Sequence, residues 1–394
     1  MNNNGNGYVI DPIQIDKRLE YATEGIKKAE IGPANKDFIL RYRDYVLYIK
    51  KLSKDRAVKW MSTLQVLGKW TDKPFNDMTG DDLKELDKKI LSSDYADNTK
   101  CDLERMLKCF FKWLKSPDKD AELDEFPPEV KWLKVVRPKT EPLKNEDTIS
   151  HEDVIAIKNK SINLRNRAFV YTLWDSCDRI REHLKLKIED VEDLGEGEGL
   201  NLNAKITKTG GHIFKKTIIL SEADLRDWLK VHPKANDPKA PLWIRIDGRA
   251  PNEGIDYFYA RQMLTRLAKK AGVKKATNPH NFRHGGLSFW SDHLTDSQIK
   301  YRAGWSQSTK MYATYIHKDL NVMRDAMLQA VGRKPKEETD PFKDKFQTCP
   351  VCDKQQDKTR SLCYSCGAIM DQRKNAFLRE VMDLVDSRIK EAGK

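Results

Sequence analysis

The sequence predicts a mainly α-helical protein of more than one domain, with one small β-hairpin and a cysteine-rich ribbon toward its C-terminal end. Apolar residues recur at helical spacing through most of the chain, as in Leu103, Leu107, Phe110 and Leu114, the pattern of helices that each bury one stripe. The clearest alternation lies on either side of Gly210-Gly211, and a period of two marks a half-buried strand. Two Cys-x-x-Cys pairs, Cys349/Cys352 and Cys363/Cys366, supply the third observation. At 394 residues the chain also exceeds the ~250–300 residues at which single cores stop growing.

Residues 1–33 read as an N-terminal extension, polar and Asn- and Gly-rich at its tip, with a charged, weakly amphipathic helix over residues 13–30. Residues 34–116 read as a compact helical domain. Phe38, Tyr42, Tyr45 and Ile49 make one apolar stripe, Trp60, Leu64 and Leu67 a second, and Leu103 to Leu114 another. Thr79-Gly-Asp-Asp caps a helix that carries Leu83, Leu86 and Ile90. The opposite faces hold Lys50, Lys51, Lys54, Arg56, Lys59, Lys100, Arg105, Lys108 and Lys112; such a face is either simply solvated or set against DNA. Residues 117–146, rich in Pro and charge and without an apolar period, read as a linker.

Ser150-His-Glu-Asp153 has capping-box spacing and marks the opening of a second domain, 147–332. Its first helix holds Ala168, Phe169, Leu173 and Trp174. Next, Arg179, Glu182 and Leu186 share a stripe that would ordinarily be apolar. That placement suggests a guanidinium held by its own helix's carboxylate and aimed inward, with an ordinary surface ion pair as the alternative. Leu202, Ala204 and Ile206 then alternate, Gly210-Gly211 makes a tight turn, and Ile213, Lys215, Thr217 and Ile219 alternate back, with Lys208 just before the turn. Tyr259, Met263, Leu267 and Ala271 mark a helix that Gly272 ends, and Asp319 to Val331 suit another. A second charged linker, 333–346, leads to the ribbon at 347–372 and a C-terminal amphipathic helix at 373–394.

An excess of 72 Lys+Arg over 60 Asp+Glu gives a net charge of +12, which favours a polyanionic partner. No run reaches the ~18–20 apolar residues of a membrane span, and the start lacks the charged-then-apolar order of a signal peptide. A cytoplasmic protein with no membrane partner is therefore expected. In a reducing compartment, bunched cysteines bind metal in preference to forming disulfides. Cys349, Cys352, Cys363 and Cys366 are expected to hold a structural Zn²⁺ at about 2.3 Å. The remaining chemistry is concentrated in residues 278–317: His280, Arg283 and His284 form a donor array suited to a phosphate, and Tyr312 and Tyr315 follow as candidate nucleophiles.

Arg179 in R-x-x-E-x-x-x-L, Lys208 in K-T-G, H-N-F-R-H at 280–284, A-G-W at 303–305 and M-Y-A-T-Y-I-H at 311–317 come in a specific order. In that order they resemble the tyrosine recombinases, the lambda-integrase-like family, over residues 35–330. The Trp variant with a C-terminal zinc ribbon looks most like archaeal and archaeal-virus integrases. The resemblance implies a helical, SAM-like core-binding domain over 34–116 and a mixed α+β catalytic domain over 147–332. It implies Tyr315 as nucleophile, Arg179 and Arg283 as phosphate clamps, His280 as proton acceptor or phosphate ligand, and Lys208 as proton donor to the leaving 5′-oxygen. Trp305 stands where many relatives have His; an indole N–H can donate to a phosphate oxygen but cannot shuttle protons. His284 is expected beside the clamp, packing or touching phosphate. Cys177 and Asp178 depart from the family pattern, and Asp178 is expected to turn away toward Arg181.

The reaction so implied is strand cutting and rejoining by a homo-tetramer on two sites in double-stranded DNA, with no cofactor for catalysis. Two other functions fit parts of the chain: a type IB topoisomerase-like relaxing enzyme, and a zinc-ribbon DNA-binding regulator with a vestigial catalytic domain.

Overall fold

The computed structural model describes residues 12–138, 147–195, 198–205, 213–246, 251–309, 346–358 and 360–371, with single positions at 374, 381 and 385. The chain divides into two compact units, Met1–Glu141 and Pro142–Lys394. Among the described residues, no helix is long and apolar enough to cross a membrane.

The first unit is helical: α1 (Pro12–Lys28), α2 (Pro33–Asp44), α3 (Lys54–Gly68), α4 (Gly80–Ser92), α5 (Asp97–Leu114) and the short α6 (Pro128–Lys131). Its core joins Tyr42, Leu64, Leu67, Leu83, Leu86, Ile90, Leu107 and Phe110. Thr79 and Asp82 close a reciprocal capping box at the start of α4. Tyr45–Ile49 winds as a single π-helical turn after α2. The wider turn rotates the apolar stripe, so Val46 is buried and Ile49, expected inside, is 46% exposed. Ile26 of α1 lies in the same core, and Arg18 pairs with Asp55 at 3.0 Å. The helical unit therefore begins well before residue 34. The expected linker also opens as core: Val130 and Leu133 are buried in this unit, and the Trp113 indole donates to the Lys119 carbonyl at 2.8 Å. Isolated anchors of this kind leave no period to read.

The second unit is built around α8 (Leu164–Asp175), whose Ala168, Phe169, Leu173 and Trp174 are fully buried. Packed about it are α7 (His151–Asn159), α10 (Glu222–Lys230) and α12 (Pro279–Ser291), and the described residues also form α9 (Ile180–Leu184), α11 (Tyr257–Ala271) and α13 (Asp296–Arg302). Ser150 and Asp153 form the expected capping box. Gly285 and Gly286 weaken α12 by propensity but set its position. A Cβ at Gly285 would fall 1.9 Å from the Ile149 carbonyl oxygen, and one at Gly286 would fall 2.1 Å from that of Trp174. Only glycine lets the backbone of α12 come this close to α8.

A three-stranded antiparallel sheet runs in the order β1 (Val191–Asp193), β2 (Leu200–Lys205), β3 (Ile213–Ile218). Its register pairs Leu202 with Lys216 and Leu200 with Ile218. A two-residue turn at Gly210-Gly211 would instead pair Leu202 with Ile219, an odd shift, and odd shifts exchange the two faces of a strand. Lys216 and Ile218 accordingly face the core, while Lys215 and Ile219, expected inside, are exposed. Residues 206–212 with Lys208, the helix expected over 319–331, and nearly all of the C-terminal helix lie outside the described residues.

Phe346–Thr348 (β4) and Gln355–Asp357 (β5) pair antiparallel and begin the cysteine ribbon. The ribbon is docked on the second unit through buried charge. Lys158 of α7, fully buried, donates to Asp224 of α10 at 2.6 Å and to Asp357 of the ribbon at 3.1 Å. Arg360 reaches Asp224 at 3.3 Å and also pairs with Asp227, and Lys230 donates to the Tyr364 carbonyl at 2.8 Å.

Candidate active site

α12 opens with Asn278 as its N-cap, accepting from the Asn281 N–H at 3.0 Å, and Pro279 at its first position. That start places His280, Arg283 and His284 on successive turns. His280 and His284 meet edge to face, with ring centroids 4.4 Å apart. Arg283 is 1% exposed; its Nη1 donates to the Cys177 carbonyl and its Nη2 to the Ala303 carbonyl, each at 2.7 Å. Its guanidinium also lies over the Trp305 ring, 5.6 Å from the centroid. One arginine thus ties together the segment before α9, the end of α13 and the indole.

Arg179 stands at the N-cap of α9. Its Nη1 donates to Glu182 Oε1 at 2.8 Å, and its backbone N–H donates to Oε2 of the same carboxylate at 3.2 Å. Glu182 is buried and Arg179 is half-buried, so the carboxylate fixes the guanidinium from behind. Burial, and then the positive charges of Arg283 and Arg179, hold the His280 imidazole below its ordinary value of 6.5. Burial, then His280 and Arg283, lower His284 to about 4. Both rings are neutral at neutral pH, and the shift of His280 places it within the field of both arginines.

Asp178 does not turn toward Arg181. It is completely buried and pairs with Lys216 of β3, while its other oxygen lies 3.4 Å from His183 Nδ1. Burial opposes its ionisation, but Lys216 and His183 outweigh that and hold the carboxyl below the ordinary range. His183, where an aliphatic residue would suffice, stacks on Trp243 and meets Phe169 edge-on. Neighbouring Asp175, also buried, accepts from the Ser221 backbone and hydroxyl at 2.9 Å each and from Arg302 Nη2 at 3.0 Å. Sequence reasoning passed over Lys216 and Arg302. The available signal was the parity of Phe214, Lys216 and Ile218, which the assumed turn obscured.

Lys208, Tyr312 and Tyr315 lie outside the described residues. In the helical unit, Lys50, Lys59 and Arg105 pair with acids, Lys50 with Glu122 at 2.6 Å and Lys59 and Arg105 with Asp102 at 2.5 and 3.5 Å, as does Lys54 with Asp16. Lys51, Arg56, Lys100, Lys108 and Lys112 make no ion pair with a described residue; Arg56 lies over Trp60, and Lys108 and Lys112 over Phe126. The ligand sulfurs of Cys349, Cys352, Cys363 and Cys366 all lie within 4.8 Å of one another, with Cys349–Cys366 and Cys352–Cys363 at 3.6 Å. A tetrahedral ion with bonds of ~2.3 Å needs sulfurs about 3.8 Å apart. The four thiols therefore fit a metal such as zinc.

The fold is that of the tyrosine-type site-specific recombinases, mainly helical with small sheets. Residues 149–321, which span every catalytic candidate named above, match the model of the phage integrase family, so the second unit carries a domain of that class. A lambda integrase dimer bound to a core site is similar in structure, with 13% identity and a TM-score of 0.56, over 80% of this chain and 93% of that one. The Tn1549 transposon integrase in complex with transposon right end DNA gives 15% and 0.55, over 75% and 99%. The XerH site-specific recombinase in a post-cleavage complex gives 15% and 0.52, over 80% and 94%. No protein of curated function matches the chain by sequence.

Proposed function

We propose that this protein is an integrase-type recombinase that cuts and rejoins double-stranded DNA at specific sites through a 3′-phosphotyrosyl link at Tyr315, acting as a tetramer on two sites. The observation that carries this reading is the convergence of Arg179, His280, Arg283 and Trp305 from three separate segments, with both arginines held in fixed orientations. Two such guanidiniums provide a preorganised positive field for the charge that builds on the nonbridging oxygens during in-line attack. A tyrosine has an ordinary pKa near ~10 and must lose its proton as it attacks. His280, kept neutral by burial and its cationic neighbours, accepts that proton. The bond from phosphorus to the 5′-oxygen breaks as the bond to the Tyr315 oxygen forms, and Lys208 protonates the leaving oxygen. Trp305 donates its N–H to a phosphate oxygen and shuttles no proton. Attack by a 5′-hydroxyl on the phosphotyrosine reverses the step, and because that link conserves the bond energy no nucleotide is consumed.

Lys51, Arg56, Lys100, Lys108 and Lys112, whose charge no described acid neutralises, supply phosphate contacts from the helical unit. Zinc bound by the four cysteines holds the ribbon in shape and takes no part in the reaction. The protein works in the cytoplasm, where the thiols stay reduced. The test is a duplex with a nick beside the cleavage position, so that the short 5′-hydroxyl fragment diffuses away and traps the intermediate. A protein–DNA adduct that survives denaturation is expected. A regulator with a vestigial site gives none, and a relaxing enzyme also relaxes plasmid that lacks any recombination site.

A further inference from the structure

Three consecutive residues, Cys177 to Arg179, each hold a different part of the site. The Cys177 carbonyl receives Arg283 at 2.7 Å, the Asp178 carboxylate receives Lys216 and faces His183, and the Arg179 guanidinium projects to Glu182. The backbone reaches this arrangement through a left-handed residue, Cys177 at φ +54. For a side chain other than glycine that conformation is sparsely populated and persists only where the surroundings impose it. Here they are imposed from β3 and α9: the side chains of Asp178, Lys216 and His183 are all fully enclosed. The Lys216 side chain is wholly enclosed, and its ammonium is turned to the Asp178 carboxylate.

We propose that Asp178, Lys216 and His183 form a buried ionic anchor that positions the Cys177–Arg179 backbone, so that Arg179 and Arg283 meet the scissile phosphate together. The anchor is a set of positioning residues, and the proposal rests on the recombinase reading above. It also joins β3, the strand that follows Lys208, directly to the residue before the first arginine, so the two sides of the clamp share one fixed point. A displacement of about 1 Å in such a clamp is enough to slow a reaction on the order of 100-fold.

The test replaces both charges at once, because removing one alone would strand the other in the core. Asp178→Leu with Lys216→Met, and Asp178→Asn with Lys216→Met, are compared with the parent in single-turnover cleavage of the nicked duplex at saturating protein. Thermal midpoint and DNA affinity are measured on the same preparations. Each double variant is expected to melt within a few degrees of the parent and to bind DNA within several-fold, yet to form the covalent adduct about 10- to 100-fold more slowly. A second readout uses a duplex with a neutral methylphosphonate at the scissile position, which places less charge on the clamp. If the defect acts through the arginines, the ratio of parent to variant rates shrinks toward one on that substrate. A folded double variant that cleaves at the parental rate overturns the proposal, as does a defect of equal size on both substrates. Loss of folding in both variants also overturns it, in favour of a charge pair that serves only the fold. Absence of any adduct with the parent is a different result: it removes the recombinase reading, and this proposal with it.

Discussion

Arg283 is oriented by the protein alone. Two carbonyls, of Cys177 and Ala303, take one N–H from each terminal nitrogen, and the planar fork leaves the guanidinium aimed in a single direction. A lysine carries the same charge but cannot bridge two carbonyls in that geometry. Arg283→Lys is therefore expected to bind DNA within several-fold of the parent while covalent adduct forms at least about 100-fold more slowly; comparable rates in single-turnover cleavage would contradict the assigned role. The placement of His280 and Arg283 together, with Trp305 beside Arg283, is legible in the sequence because the first two share one well-capped helix and the third follows at fixed spacing. That of Lys216 is not, because a strand lysine reads as solvated unless its face is known. Asp178, expected to turn toward Arg181, has this lysine as its partner instead.

At the scale of elements, the helices expected within the described residues are found there, because each buries a stripe that its own spacing declares. The exceptions have local causes: the π-helical turn at Tyr45–Ile49 rotates one stripe, and the register of β2 and β3 exchanges the faces of the hairpin. The packing of α12 on α8 was invisible, since Gly285-Gly286 in a helix signals weakness until the facing carbonyls are seen. The ribbon's thiols were plain from spacing, but its docking was not, because Lys158, Asp224 and Asp357 are far apart in sequence. That docking has a consequence for metal removal. A chelator that strips the four cysteines loosens Asp357 and Arg360 from α7 and α10. In a domain of this size each kcal/mol moves the melting midpoint by about 2–4 °C, and the second unit is expected to melt several degrees lower, with the ribbon becoming sensitive to protease. An unchanged midpoint after verified metal loss would show that the ribbon stands apart energetically.

At the scale of the whole molecule, the net charge of +12 favours a polyanionic partner, and the proposed one is a phosphodiester in DNA. Composition could not reveal how many histidines the fold keeps neutral. His183, His232, His280 and His284 are all held below their ordinary value of 6.5, first by burial. The unfolded chain takes up protons at these sites as the pH falls below 6.5, and the folded chain does not, so stability is full above that pH and declines on acidification. Asp87, Glu104, Asp175 and Asp292, whose carboxyls are raised by burial, work in the opposite sense, while Asp178 and Asp224, held low against burial by Lys216 and Lys158, add to the loss as the pH approaches 4. The melting midpoint is expected to be nearly flat above pH 7 and to fall steadily between pH 6.5 and 4; a midpoint that holds or rises over that interval would contradict the assigned burial. The central claim, that this site cuts DNA through one particular tyrosine, is tested most directly by digesting the denatured adduct and locating the attached nucleotide by mass spectrometry. The account predicts a nucleotide joined through its 3′-phosphate to the Tyr315 oxygen. Attachment at Tyr312, or at any other residue, would contradict it.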